Sequence, residues 1–121
     1  MSSPPHETDY EHFIVTQPYA FVTHVQINRP TKLNSFIETM WLDLERIFEQ
    51  LSSASDVRAV VLSGVGDRAF TTGLDVQAAT QGKILGQGND ANYDVARRAV
   101  MLRRHVAAFQ KCISSVERCE K

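Results

Sequence analysis

The chain has 121 residues, 13 basic against 14 acidic side chains for a formal net charge of −1, and 43% hydrophobic residues. That is enough chain for one globular domain. It excludes wholesale disorder, a collagen-like repeat, a disulfide-packed mini-protein and a global field that would draw in nucleic acid or a membrane surface. No apolar run approaches the roughly 20 residues that span a bilayer.

Residues 1–11 are Ser, Pro, His and acid, and read as a mobile, solvated arm without the layout of a secretory or mitochondrial leader. The folded part is expected over 12–121. His12 to Thr16 is a short β-rich run, and Gln17-Pro18 punctuates it. A longer strand follows from Tyr19 to Asn28, where Phe21, Thr23, Val25 and Ile27 alternate with Val22, His24, Gln26 and Asn28. The two runs are placed to pair as an antiparallel hairpin. Arg29 to Asn34 is a loop, because Pro30 disfavours helix at Arg29 and cannot donate to a sheet ladder.

Ser35-x-x-Glu38 has the capping-box pattern. Phe36, Ile37, Met40, Trp41, Leu44, Ile47, Phe48 and Leu51 then recur at steps that make one broad apolar face, predicting a helix from Phe36 to Ser52. Val57 to Ser63 is an apolar run with little alternation, which predicts a strand covered on both sides. Strand, helix and strand thus form one parallel crossover unit. A turn at Gly64 to Asp67 leads into a short extended run, Arg68 to Thr72, ending at Gly73. Gln77 to Ala91 reads as loose, and a long helix is expected from Asn92 to Arg118. Its apolar residues Val95, Ala99, Leu102, Val106, Phe109, Ile113 and Val116 form a stripe that needs a partner surface.

Several patterns carry no chemistry. Gly86 to Ala91 fits G-x-G-x-x-A, yet no strand leads into it and no acid follows at ribose-binding distance, so a surface loop is the better reading. Arg97, Arg104, Lys111 and Arg118 recur every seven residues on one helix face. Without interleaved aromatics this reads as a solvated or subunit-facing surface. His6, His12, His24 and His105 stand in no nucleophile or metal motif, and Ser63 lacks the glycine that a nucleophile elbow needs. Cys112 and Cys119 are read as reduced thiols, with no zinc spacing and no metal expected.

The informative segment is Arg68 to Val76. An extended run reaches Gly73, then Leu74, then Asp75 as a helix N-cap. Such a corner can leave a main-chain N–H pointing outward to polarise a carbonyl, and Gly73 lets a ligand approach closely. The other reading is a capped turn with no ligand.

His24-Val-Gln-Ile-Asn-Arg-Pro-x-Lys-x-Asn34, the helix with Trp41, Asp56-Val-Arg-Ala-Val-Val-Leu-Ser-Gly64 and Ala69-Phe-Thr-Thr-Gly-Leu-Asp75 occur in an order and spacing that resemble the N-terminal half of the enoyl-CoA hydratase/isomerase (crotonase) family. Within it, the Phe-Thr-Thr-Gly-Leu-Asp turn and the long last helix are most similar to the dienoyl-CoA isomerases of fatty-acid β-oxidation. The resemblance implies an α/β fold, the opening of a crotonase-type ββα superhelix. It implies an acyl-CoA thioester as substrate, no cofactor beyond the CoA of that substrate, no metal, and a trimer or hexamer for a full-length protein. It suggests a peroxisomal or mitochondrial location.

By the same resemblance, the Leu74 N–H matches the first of two oxyanion donors. Thr72, Gly73, Leu74, Asp75 and Val76 would border the thioester. Lys32 would meet a CoA phosphate, with Leu33 and Asn34 beside it. The second donor and the acid–base carboxylates match nothing here, and Asp67 and Asp75 do not stand at those positions. The chain is therefore expected to be a truncated product or part of a longer protein. On its own it is expected to show no turnover. The alternative is a non-catalytic fragment, a CoA-binding or protein-interaction module at most.

Overall fold

The computed structural model describes residues 10–81 and 94–121. The arm expected at 1–11 falls almost wholly outside them, as do the Gly86–Ala91 pattern and the expected helix start at Asn92. Three strands form one sheet in the order β1-β2-β3, with β1 at Phe13–Tyr19, β2 at Val22–Ile27 and β3 at Ala59–Gly64. Helix α1 spans Glu38–Ser53, α2 spans Val76–Gln81 and α3 spans Val95–Arg118.

The hairpin forms antiparallel, with Phe13 opposite Ile27 and Thr16 opposite His24. Its first strand is longer than expected and takes in Pro18 and Tyr19. The register shifts between Thr16 and Tyr19. This irregularity lets an edge strand carry a proline that has no N–H to give. The chain reverses at Ala20-Phe21 instead of Gln17-Pro18, with Phe21 at φ +66° and its ring under the Arg58 guanidinium, 4.0 Å away. β2 and β3 run parallel with α1 as their crossover, Val25 lying opposite Leu62.

Period-two alternation puts Phe13, Val15, Thr23, Val25 and Ile27 on the buried face. Met40, Leu44, Ile47, Phe48 and Leu51 of α1 close the core over them. The expectation that β3 is covered on both sides is corrected. Val60 and Leu62 pack on the core, but Val61 on the other face is 50% exposed. Among the described residues α1 covers one face of the sheet and no second layer covers the other.

The expected capping box does not form either. Ile37 is the N-cap of α1 and no side chain caps the helix. The reason lies one residue upstream. Phe36 donates its N–H to the Gly73 carbonyl at 2.7 Å and accepts from the Asp75 N–H at 2.9 Å, which holds 36–37 extended and delays the helix to Glu38. Ser35 is thereby freed for another partner.

Helix α3 has Asp94 as its N-cap, the side chain accepting from the Arg97 N–H. It lies on α1 through a face rotated from the expected stripe. Cys112 and Ser115 are its buried residues, and Phe109 meets Trp41 edge-on at 5.6 Å. Trp41 in turn lies 4.4 Å from Phe36, so a run of rings ties α3 to the core. Val95, Leu102, Val106, Ile113 and Val116 remain exposed.

Candidate functional site

The candidate site is a main-chain corner held between two loops. Pro30–Lys32 forms a single 3-10 turn, after which Leu33 and Asn34 take left-handed φ values of +54° and +57°. Asparagine tolerates that conformation because its short amide can bond nearby main chain. Asn34 is 1% exposed. Its Oδ1 accepts from the Arg29 N–H at 2.9 Å, and its Nδ2 donates to the carbonyls of Val65 and Ala69, both at 3.0 Å. Gly64 makes this approach possible. A Cβ there would stand 2.5 Å from the Phe70 carbonyl and 2.9 Å from the Asn34 amide nitrogen.

Residues 68–72 are therefore not a sheet strand. They run as irregular chain stitched to the first loop, and the bridge between Phe36 and Leu74 is their continuation. Thr71 Oγ1 donates to the Asn34 carbonyl at 2.6 Å and accepts from the Gly73 N–H at 3.1 Å. Gly73 sits at φ +89° with open space where a Cβ would be, so a side chain is excluded by backbone strain and not by crowding. Asp75 caps α2, its Oδ1 accepting from the Ala78 N–H at 3.0 Å. Gln77 to Gln81, expected to be loose, belongs to that short helix.

The result is selective. The N–H groups of Gly73 and Asp75 and the carbonyl of Gly73 all have partners. The Leu74 N–H between them has none among the described residues, and its side chain belongs to a residue 42% exposed. Thr72, Leu74 and Val76 flank the corner as exposed residues. Leu33 and Asn34 line a shallow cavity of about 120 Å³ with Pro30 and residues 65–69. Lys32 is exposed at the end of the 3-10 turn, and its positive charge contributes to holding the Asp75 carboxyl low. The Thr72 hydroxyl reaches the Leu33 carbonyl only at 3.5 Å. The residues singled out in 32–34 and 72–76 are thus brought together, although some forty positions separate them.

Arg29 also holds the corner, although no pattern in the sequence points to it. Its Nη1 donates to Asp75 Oδ2 at 2.8 Å and to the carbonyl and hydroxyl of Ser35, both at 3.1 Å. The Ala78 N–H and then Arg29 hold the Asp75 carboxyl below the usual carboxylate value. Nothing local marks this arginine, because its partner lies 46 residues on. Elsewhere, His24 Nε2 meets Ser63 Oγ at 2.6 Å on the outer sheet face, and His105 packs edge-on against Phe109. Among the described residues no cluster of His, Cys, Asp or Glu could hold a metal ion, and no helix is long and apolar enough to cross a membrane.

Sheet, crossover helix and corner together define a partial crotonase-type α/β domain. An enoyl-CoA hydratase from Bacillus anthracis superposes with a TM-score of 0.68, at 21% identity over 90% of this chain and 36% of that one. At that identity the likeness is one of fold. A sequence profile described as enoyl-CoA hydratase/isomerase matches residues 17–110, and the chain belongs to that family.

Among curated relatives, the mouse mitochondrial Delta(3,5)-Delta(2,4)-dienoyl-CoA isomerase is 38% identical over 113 residues, 93% of this chain and 33% of that protein. The peroxisomal Delta(3,5)-Delta(2,4)-dienoyl-CoA isomerase of Arabidopsis thaliana is 31% identical over 100 residues, 83% of this chain and 34% of its own length. The chain spans about a third of the length of these relatives.

Proposed function

We propose that this chain is the N-terminal portion of an acyl-CoA isomerase of the dienoyl-CoA isomerase type, and that the Leu74 N–H receives the thioester oxygen. The observation that carries the reading is the unpartnered Leu74 amide between two bonded neighbours. A rigid donor aimed where negative charge develops stabilises an enolate without reorganising at the moment of reaction. The open face of Gly73 leaves room for the thioester, and the exposed Lys32 offers a cation for a CoA phosphate. Removal of a proton next to the thioester would place charge on that oxygen, and its return at a distal carbon would shift the double bonds. Proton transfer is assigned to no residue of this chain. The names of the relatives support a mitochondrial or peroxisomal setting. By the family resemblance the full-length protein would be a trimer or hexamer.

Titration of the isotopically labelled chain with a dienoyl-CoA thioester tests this. The Leu74 amide resonance should move downfield, with smaller shifts at Gly73 and Lys32, and with no turnover of the thioester. Saturating ligand without a response at Leu74 would reject the oxyanion role. The exposed apolar residues of α3 favour one second reading, a non-catalytic interaction module. Under that reading the chain associates through α3 and shows no Leu74 response to the thioester.

A further inference from the structure

A backbone donor has little use beside an uncompensated negative charge, and a carboxylate stands next to this one in the chain. Asp75 follows Leu74 directly, and its carboxylate caps α2 through the Ala78 N–H. That bond fixes the carboxylate of the residue that follows the proposed oxyanion donor. We infer that Arg29 is a positioning residue for the corner: its guanidinium neutralises Asp75 and locks the turn, so that the Leu74 N–H meets a thioester oxygen without opposition from the adjacent carboxylate. The inference rests on the function proposed above and adds a residue to it.

Three features of the geometry carry it. A single nitrogen, Nη1, joins Asp75 Oδ2 to both polar oxygens of Ser35, so one side chain spans the two segments that border Leu74. The partners are only 16% and 15% exposed as side chains, so water screens the pair less than it screens a surface ion pair. The Phe36 main chain bonds both Gly73 and Asp75, which leaves the Leu74 amide fixed in orientation once Asp75 is held. Ser35 is available to Arg29 because the capping box it suggests in sequence is not formed.

The expected outcome differs from that of a simple structural brace. A brace once broken stays broken when its second half is removed. A charge partner is no longer needed once the charge is gone. Arg29→Gln should therefore weaken dienoyl-CoA binding about tenfold through the exposed carboxylate. Arg29→Gln/Asp75→Asn keeps an amide oxygen for the Ala78 N–H and should bind within about threefold of the wild type.

The experiment uses the whole chain labelled with 13C and 15N. Without ligand, the Asp75 carboxyl is titrated. In Arg29→Gln its midpoint should rise while staying below the usual aspartate value, because the Ala78 bond remains; an unmoved midpoint overturns the inference. With a dienoyl-CoA thioester as probe, a double variant as weak as Arg29→Gln overturns it too. Arg29→Lys guards against an unfolded Arg29→Gln variant: it keeps a cation beside Asp75 and should hold the carboxyl midpoint below that of Arg29→Gln, and an equal rise in both variants overturns the inference. Failure of the underlying function looks different. There the wild-type Leu74 amide ignores the thioester even though the Asp75 midpoint moves with Arg29, and the inference falls with it.

Discussion

Helices α1 and α3 carry apolar residues at similar spacing and have opposite fates. The α1 stripe is buried from Met40 to Leu51 and forms the lid of the core. The α3 stripe faces out except at Phe109, which joins Cys112 and Ser115 in the narrower face that holds the helix. The α1–α3 contact is also less well satisfied, since Trp41 Nε1 is buried without a hydrogen-bond partner among the described residues. Amphipathic spacing states that a helix has an apolar side. It does not state which surface is present to receive it.

Substitutions put this contrast to the test. The largest effect is expected from Phe48→Ala, which empties a site 3% exposed and should cost about 3–5 kcal/mol in urea denaturation. A loss under about 1 kcal/mol would mean the core is far looser than its burial indicates. Next comes Asn34→Ala. It strands the Arg29 N–H and the Val65 and Ala69 carbonyls and places alanine at a left-handed φ, which should cost about 3 kcal/mol.

Gly73→Ala should cost only about 1 kcal/mol, since the space is open and the strain is purely backbone. It should nonetheless shift the Leu74 amide resonance, and a larger loss would show crowding absent from this structure. The smallest effect is Ile113→Ala on the outer face of α3, expected within about 0.5 kcal/mol of wild type. A cost near that of Phe48→Ala would show that the stripe is covered after all.

Acid stability separates the corner from the helices by charge. Asp75 has a lowered pKa, through the Ala78 N–H and then Arg29, so its stabilising contribution is complete above the unfolded-state value near about 3.9 and is lost as pH falls through the folded value. Asp43 on α1 has a raised pKa through burial, with Arg46 opposing. Its contribution is present at low pH and lost as pH rises through the raised value. Urea midpoints followed from about pH 6 to about pH 2 should fall on the acid side in wild type and flatten in Asp75→Asn. An unchanged slope in that variant would contradict the assignment. Cys112 is a further marker, since burial pushes its thiol up. Alkylation should reach Cys119 first and Cys112 only on unfolding.

How much was legible follows the range of the interactions. Strand alternation in β2 and the face of α1 are local periodicities, and both were readable residue by residue. The Ser35 capping pattern was equally local, and it misled. A bond from Phe36 to Gly73, 37 positions away, outcompetes the cap and moves the helix start. The turn at Gly73 was readable as a corner, and Asp75 as its cap. That Thr71, Asn34 and Arg29 would hold the corner was not, because each acts on a partner more than thirty residues away.

Local sequence was enough for strand β2, the buried stripe of α1 and a glycine where the chain turns at positive φ, since these depend on near neighbours and side-chain size. It also carried the family, through four short motifs in register. Contacts across the fold settle that the Leu74 amide stays unpartnered between two bonded neighbours, that Arg29 answers Asp75, and that α3 turns most of its apolar stripe outward. Each of these is a matter of which groups meet across the fold, and hydrogen-bond satisfaction is settled only when the partners are in place.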